Sequence, residues 1–102
     1  MLSRTADHLY WMARYIERAE NMARVLDVTY SMSLVPNAAE SEAALWEPAV
    51  QIAGSIDAYE ARHQDYSAKE VIHYLAMDPE NPSSIFSALR SARENARGWA
   101  SR

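Results

Sequence analysis

The 102-residue chain contains no cysteine, which excludes disulfide bonds and thiolate chemistry. The same absence agrees with a reducing compartment, so we expect the protein in the cytoplasm. No stretch approaches the ~20 consecutive apolar residues that a membrane-spanning helix needs, and the first residues lack the layout of a signal peptide. We therefore expect neither membrane insertion nor export.

Glycine is scarce, and there is no excess of positive charge. Two glycines and four prolines leave room for long, uninterrupted helices. The net charge is −4 and the isoelectric point is near 5.3. Bulk electrostatics therefore give nucleic acid or an anionic membrane no reason to bind.

Hydrophobic residues make up 49% of the chain and recur at helical spacing, and no alternating strand pattern occurs anywhere. A first helix is predicted from Ser3 to about Leu34, and a last helix from Pro82 to about Trp99. Shorter helices are predicted between them. We therefore predict an all-α fold, a helical bundle of about four to five helices with long first and last helices, forming a single domain over residues 1–102.

Turn-forming and capping residues predict where the helices end. The Pro-Asn pair at 36–37 breaks the first helix, and Pro48 predicts a kink or a fresh start in the second. Gly54 ends the second helix, and Ser55 caps a short third helix.

Two further signals predict the starts of later helices. Ser67 and Glu70 have the spacing of a capping box, in which each side chain bonds the backbone amide of the other residue. Asn81 is the predicted N-cap of the last helix, with Pro82 at its first position.

One apolar stripe along the first helix contains two acidic residues, Glu20 and Asp27. If the stripe is buried, Glu20 needs a cationic partner, because an unpaired buried carboxylate costs several kcal/mol, on the order of its desolvation penalty. Arg93 on the last helix is the predicted partner, and Arg24 is a second candidate. The predicted stripe consists of Leu2, Ala6, Leu9, Ala13, Ile16, Ala23 and Tyr30, widened by Met12, Ala19 and Leu26.

Two interpretations of this polar cluster remain open. It is either an interhelical ion pair that fixes the register of two helices, or a polar pocket that binds an anionic or amino-acid-like ligand. The run Arg-Ala-Glu-Asn at 18–21 is nearly repeated as Ala-Arg-Glu-Asn at 92–95. These near copies lie on the two helices that we expect to pack together.

Two Glu-x-x-His spacings, Glu60–His63 and Glu70–His73, match part of the pattern of carboxylate-bridged di-metal bundles. Glu20 and Glu94 could formally supply the further carboxylates. The two motifs are only ten residues apart, however, and a turn separates them, whereas such sites use separate long helices. We therefore assign no metal ligand and no cofactor from the sequence.

Several segments together resemble the bacterial alpha-E domain family, a helical family named for a Glu-Arg motif. They are MLSRTAD at 1–7, LYW at 9–11, RYIERAEN at 14–21, EARH at 60–63, DPENPSSI at 78–85 and ARENAR at 92–97. The segments occur in the family's order and extend over the whole chain. Members of the family are about three times longer. The resemblance therefore identifies this chain as the N-terminal part of a longer alpha-E-type domain and implies exposed apolar surface.

The resemblance implies a context rather than a reaction. Alpha-E domains tend to be encoded beside, or fused to, ATP-grasp proteins, which suggests work on a peptide or amide-linked product. An ATP-grasp-type protein is therefore an expected partner, and a second copy of the chain, packed through apolar helix faces, is another. The motif residues carried over by position, together with the arginines beside them, are Glu17, Arg18, Glu20, Asn21, Arg24, Arg93, Glu94, Asn95 and Arg97.

Three functional hypotheses follow. We expect a non-catalytic accessory or interaction domain of an ATP-grasp-associated system for peptide synthesis or modification. The alternative is an enzyme or ligand-binding domain that uses a buried Glu/Arg/Asn cluster. A second alternative is a carboxylate-bridged, metal-binding helical bundle.

Overall fold

The structure, a computed structural model, describes residues 2–35, 41–54 and 56–100, apart from the side chains of Leu2, Trp99 and Ala100. Across these residues the chain forms α-helices and no strand, which confirms the predicted all-α fold. Helix α4 runs directly into a π-helical turn, His73–Met77. The α-helices are α1 (Leu2–Ser33), α2 (Glu42–Ile52), α3 (Ile56–Glu60), α4 (Ala68–Ile72) and α5 (Ile85–Ala100).

The long helices α1 and α5 pack side by side and antiparallel, although helices α2, α3 and α4 lie between them in the sequence. This helix pair is called the α1–α5 hairpin below. His8, near the start of α1, lies beside Asn95 and Gly98 near the end of α5. Farther along α1, Met22 belongs to the core cluster on which Ile85, the first residue of α5, packs. Small buried residues such as Ala88 and Ala92 let the two helices approach closely.

The buried face of α1 is rotated about the helix axis by about one residue position from the centre of the predicted stripe. Its members alternate in steps of three and four, as expected for a helix seam that packs against neighbouring helices. Leu9, Ile16 and Tyr30 of the predicted stripe are exposed, whereas Met12, Ala19 and Leu26 at its edge are buried or half-buried, so the buried face is displaced by up to about 100° from the predicted one. The buried or half-buried stripe is Thr5, His8, Met12, Tyr15, Ala19, Met22, Leu26 and Thr29.

The main core lies around the C-terminal half of α1. Met22 packs there with Trp46 of α2, Tyr59 of α3 and Leu75 of the π-helical turn. The Tyr59 ring stacks on Tyr66 at 4.8 Å and meets the Tyr74 ring edge-on at 5.1 Å. The N-terminal half of α1 lies outside this cluster and packs on α5.

Helix α5 starts later than predicted. Asn81 does not cap it: the Asn81 side chain accepts a bond from Ser83 N–H, and Ser84 Oγ accepts the bond from Ser87 N–H that caps α5. Ser84, Ser87, Ala88 and Ala92 are buried, whereas the larger side chains of Phe86 and Leu89 are exposed. Close packing against α1 favours small side chains, which explains this difference.

The predicted end of the second helix at Gly54 is confirmed. Ser41 Oγ accepts a bond from Ala44 N–H at the start of α2, and Gly54 follows that helix with a φ of +74°, which glycine adopts without strain. Pro48 lies inside one continuous helix and does not start a new one. The predicted break at 36–37 and the predicted cap at Ser55 fall outside the described residues.

The capping box at the start of α4 is half formed. Ser67 Oγ accepts a bond from Glu70 N–H at 3.2 Å. The Glu70 carboxylate does not return the bond; one of its oxygens is buried without a hydrogen-bond partner, 4.0 Å from His63 Nδ1. Glu42 of α2 instead accepts a bond from Ala68 N–H at 2.8 Å and so joins α2 to α4.

Candidate functional site

Glu20 and Arg93 do not form the predicted buried ion pair. Both residues are exposed, and no ion pair joins them among the residues that the structure describes. Asp27, the other acidic residue of the predicted stripe, is exposed as well. The cause is the rotation of α1, which turns these carboxylates into solvent, where an unpaired charge costs little.

The way in which α1 and α5 are aligned keeps the similar segments 18–21 and 92–95 apart. His8 lies level with Asn95 and Gly98. Glu20 lies twelve residues farther along α1, which is about 18 Å at 1.5 Å per residue. The polar residues at 18–21 and those at 92–95 therefore belong to different levels of the molecule and cannot form one cluster.

The motif residues on α5 have separate environments. The Asn95 side chain contacts His8 at 3.4 Å and donates to the Ser91 carbonyl at 2.9 Å, so it braces the helix pair. Arg93, Glu94 and Arg97 are exposed.

The Glu-Arg motif on α1 lines an open cleft of about 250 Å³. Glu17 and Arg18 form the only Glu-Arg dipeptide in the sequence. The cleft lies where α1 meets the end of α2 and the loop that precedes α5. Its lining residues are Arg14, Glu17, Arg18, Asn21, Met22, Val25, Ile52, Ala53 and Ser83.

The charges of this cleft are only partly balanced. Arg14 and Glu17 form an exposed ion pair at 3.2 Å. The Arg18 guanidinium lies over the Tyr15 ring, 5.5 Å from its centroid, and has no carboxylate partner within the described residues. The cleft therefore offers one cation that is positioned by an aromatic ring and available to an anion.

Asn21 and Arg24 complete the α1 motif. Arg24 donates to the Asn21 side-chain oxygen at 3.1 Å, so Arg24 pairs within α1 and not with Glu20. Asn21 lines the cleft, while Glu20 points away from it on the exposed stripe. Of the α1 motif, the structure thus brings Glu17, Arg18 and Asn21 together.

A second cleft of about 580 Å³ adjoins the first, and Ser83 lines both. Asp57 at the start of α3 and Glu80 of the loop before α5 line this second cleft, together with Arg62. Arg62 donates to Glu80 at 2.9 Å and also pairs with Asp78. Its guanidinium lies 5.7 Å from the centroid of the Tyr74 ring.

The sequence reasoning missed the buried polar core of the loop before α5. Asp78 is buried, its carbonyl accepts a bond from Ser84 Oγ at 2.7 Å, and its carboxylate accepts one from Glu80 N–H at 2.9 Å. Asn81, also buried, donates to the Tyr74 carbonyl at 2.9 Å. A signal was available in the density of Asp, Asn and Ser around two prolines, which favours such side-chain-to-backbone bonds.

The carboxyl group of Asp78 is charged despite its burial. Burial alone raises the pKa, but the hydrogen bond from Glu80 N–H and the guanidinium of Arg62 outweigh it and hold the pKa of Asp78 below its ordinary 3.8. The sequence predicts a buried ion pair between Glu20 and Arg93. The structure instead has an ion pair with a buried carboxylate between Arg62 and Asp78.

The Glu-x-x-His spacings do not form two equivalent motifs in space. Glu60 accepts a bond from Tyr66 OH at 2.6 Å, while His63 approaches Glu70, and His73 is exposed. Within the described residues, no three His, Cys, Asp or Glu side chains come together as metal ligands would. Nothing in this geometry favours the di-metal alternative.

Comparison with known proteins agrees with this picture. Residues 1–101 match the model of the Alpha-E family, described as a predicted alpha-helical domain with a conserved ER motif. Searches of curated proteins and of solved structures returned no match. None of the described helices combines the length and the apolar character that crossing a bilayer requires. An all-helical chain whose single Glu-Arg dipeptide lines a cleft, and whose sequence fits the family model almost from end to end, belongs to the Alpha-E family.

Proposed function

We propose that this chain is a non-catalytic interaction domain of an ATP-grasp-associated system for peptide synthesis or modification. We place this system in the cytoplasm, where ATP is available to such enzymes. The chain docks on its partner through an apolar face of the α1–α5 hairpin. The described lining of both clefts contains no histidine beside Ser83, so the serine has no imidazole base there to activate it, which supports binding over Ser-His catalysis.

The observation that carries the proposal is the amount of large apolar surface on this hairpin. Leu9 and Ile16 of α1 are 42% and 41% exposed, and Leu89 of α5 is 49% exposed. Scattered apolar residues are normal on a protein surface, but a contiguous set marks an interaction site.

Helical geometry supports a single contiguous face. Leu9 and Ile16 sit about 100° around α1 from the residues that contact α5, and Leu89 sits at a similar angle around α5 from the residues that contact α1. Antiparallel helices turn in opposite senses when they are seen from one end. Both sets of residues therefore face the same side of the hairpin, away from α2.

The test is co-purification of the full chain with the ATP-grasp protein encoded beside it. The double variant Ile16→Asp, Leu89→Asp should lose co-elution, because burying a carboxylate in an apolar interface is costly. The control is Met77→Asp, since Met77 is 59% exposed but lies on the π-helical turn. Circular dichroism should show all variants folded; retention of the complex by the folded double variant would contradict the proposed docking face.

In the absence of its partner, we propose that a second copy of the chain covers the same face. Light scattering after size exclusion should then report a dimer for the wild type and a monomer for the double variant. A monomeric wild type at about 1 mM would exclude self-association of useful strength.

A further inference from the structure

The two clefts adjoin at Ser83, which lines both, and are together called the trough below. Ala53 lines the first cleft, and Gly54, the next residue, lines the second. The trough therefore runs from the Glu-Arg motif on α1 to the start of α3.

The two ends of this trough differ in charge. At the first end, Arg14, Glu17 and Arg18 leave one net positive charge, because Glu17 balances Arg14. At the second end negative charge is in excess, because Asp57 has no cationic partner among the described residues and the one charge of Arg62 is shared between Glu80 and Asp78. The surplus charges belong to Arg18 and Asp57, and neither has an ion-pair partner within the described residues.

The stretch between the charged ends is suited to an uncharged chain. Ile52, Ala53 and Ile56 give it apolar surface, and Ile52 is 72% exposed. The Ser83 hydroxyl makes no hydrogen bond to any other described residue, although Ser83 N–H bonds the Asn81 side chain. It can therefore donate to, or accept from, a backbone group of a ligand.

We propose that this trough binds a short peptide with free ends, its carboxylate against Arg18 and its ammonium group against Asp57. A guanidinium binds a carboxylate with two parallel hydrogen bonds, and an exposed aspartate suits an ammonium ion. The proposal does not depend on the docking face, which lies on the other side of the hairpin. It assigns the family's Glu-Arg dipeptide to recognition of a ligand's carboxyl end.

Isothermal titration with trialanine, with its C-terminal amide and with its N-acetyl form tests this assignment. Capping either end should weaken binding about tenfold or more. Arg18→Ala should remove the difference between trialanine and its amide, and Asp57→Asn should remove the difference between trialanine and its acetylated form. Arg93→Ala, an exposed arginine outside the trough, is the matched control and should behave as wild type.

Lengthening the probe gives a second readout. Affinity should rise from dialanine until the ammonium group reaches Asp57, and should then fall or stay level. Absence of trialanine binding at about 10 mM, or an unchanged preference for the free carboxylate in Arg18→Ala, would overturn the proposal. Arg18→Ala should leave co-elution with the ATP-grasp protein intact, so this result and the docking result can fail separately.

Discussion

At the scale of single residues, Asp78 is the charged group on which the loop before α5 depends. Its carboxylate bonds the Glu80 backbone and pairs with Arg62, while its carbonyl accepts from Ser84. Removing one partner of such a buried charge is much more costly than removing an exposed pair such as Arg14–Glu17.

The lowered pKa of Asp78 predicts acid sensitivity. Burial raises this pKa, but the contacts with Glu80 and Arg62 lower it by more than burial raises it. The pKa of Asp78 in the folded chain therefore lies below the ordinary 3.8. The charged Asp78 carboxylate therefore contributes to stability at pH values above 3.8, and this contribution is lost as the pH falls through the pKa of the folded chain. Urea unfolding between about pH 5 and pH 2 should show a smaller loss of stability for Asp78→Asn than for wild type.

The control for this experiment is Asp57→Asn, which removes an exposed carboxylate. Its stability should follow the wild-type pH dependence. An Asp78→Asn protein with the wild-type slope would show that Asp78 titrates alike in the folded and unfolded chain.

At the scale of helices, the sequence predicts most of the architecture and misses one rotation. Gly54, Ser41 and Ser67 mark helix ends because each acts through its own backbone or side chain, which local sequence reveals. The buried face of α1 depends on its neighbours. Two adjacent stripes alternate in steps of three and four, and the buried one contains Thr5 and His8 while the exposed one contains the more apolar Leu9 and Ile16.

The error in the site follows from the same rotation. Glu20 looks anomalous only if its stripe is buried, and Arg93 was chosen as its partner from that premise. The cleft around Glu17 and Arg18 also involves Ser83 and Ile52, which are distant in sequence. Only the packing of α1 against α2 and the loop before α5 brings them together.

The closest approach of α1 and α5 gives a test of their packing. A Cβ atom added at Gly98 would lie 2.8 Å from His8 Cε1, so the imidazole must move away from Asn95 to admit it. Alanine otherwise favours a helix over glycine by up to about 1 kcal/mol. Gly98→Ala should therefore stabilise the His8→Ala variant by about that amount and the wild type by clearly less.

Chemical denaturation of the four proteins of this double-mutant cycle measures the coupling between the two positions. We expect a coupling free energy of about 0.5 kcal/mol or more. Equal effects of Gly98→Ala in both backgrounds would mean that His8 does not pack on Gly98 in solution.

At the scale of the whole molecule, the chain is elongated, with dimensions of 58 × 27 × 16 Å. One end holds the core cluster, where Val50, Tyr59, Val71 and Leu75 are fully buried. The other end is a two-helix arm with few large buried side chains. Stability should therefore differ along the molecule, because local opening is easiest where little apolar surface is buried.

Hydrogen exchange tests this difference. Backbone amides at 9–16 of α1 should exchange faster than those of Trp46, Ala49 and Val50 in α2 and those at 71–75, although all lie within helices. Adding the docking partner should slow exchange at 9–16 selectively. Equal protection of the two-helix arm and of the core cluster in the free chain would contradict this difference in local stability.

The π-helical turn that follows α4 has a consequence for the length of the chain between α4 and α5. Asp78 N–H bonds the His73 carbonyl, five residues earlier, so this turn holds one residue more than an α-helical turn would. Losing one residue here would restore ordinary α-helical winding and swing the following segment by roughly 100°. Arg62 would then lose the Asp78 carboxylate, and Ser83 would leave the trough wall. The extra residue thus acts as a spacer that sets both the ion pair and the shape of the binding surface.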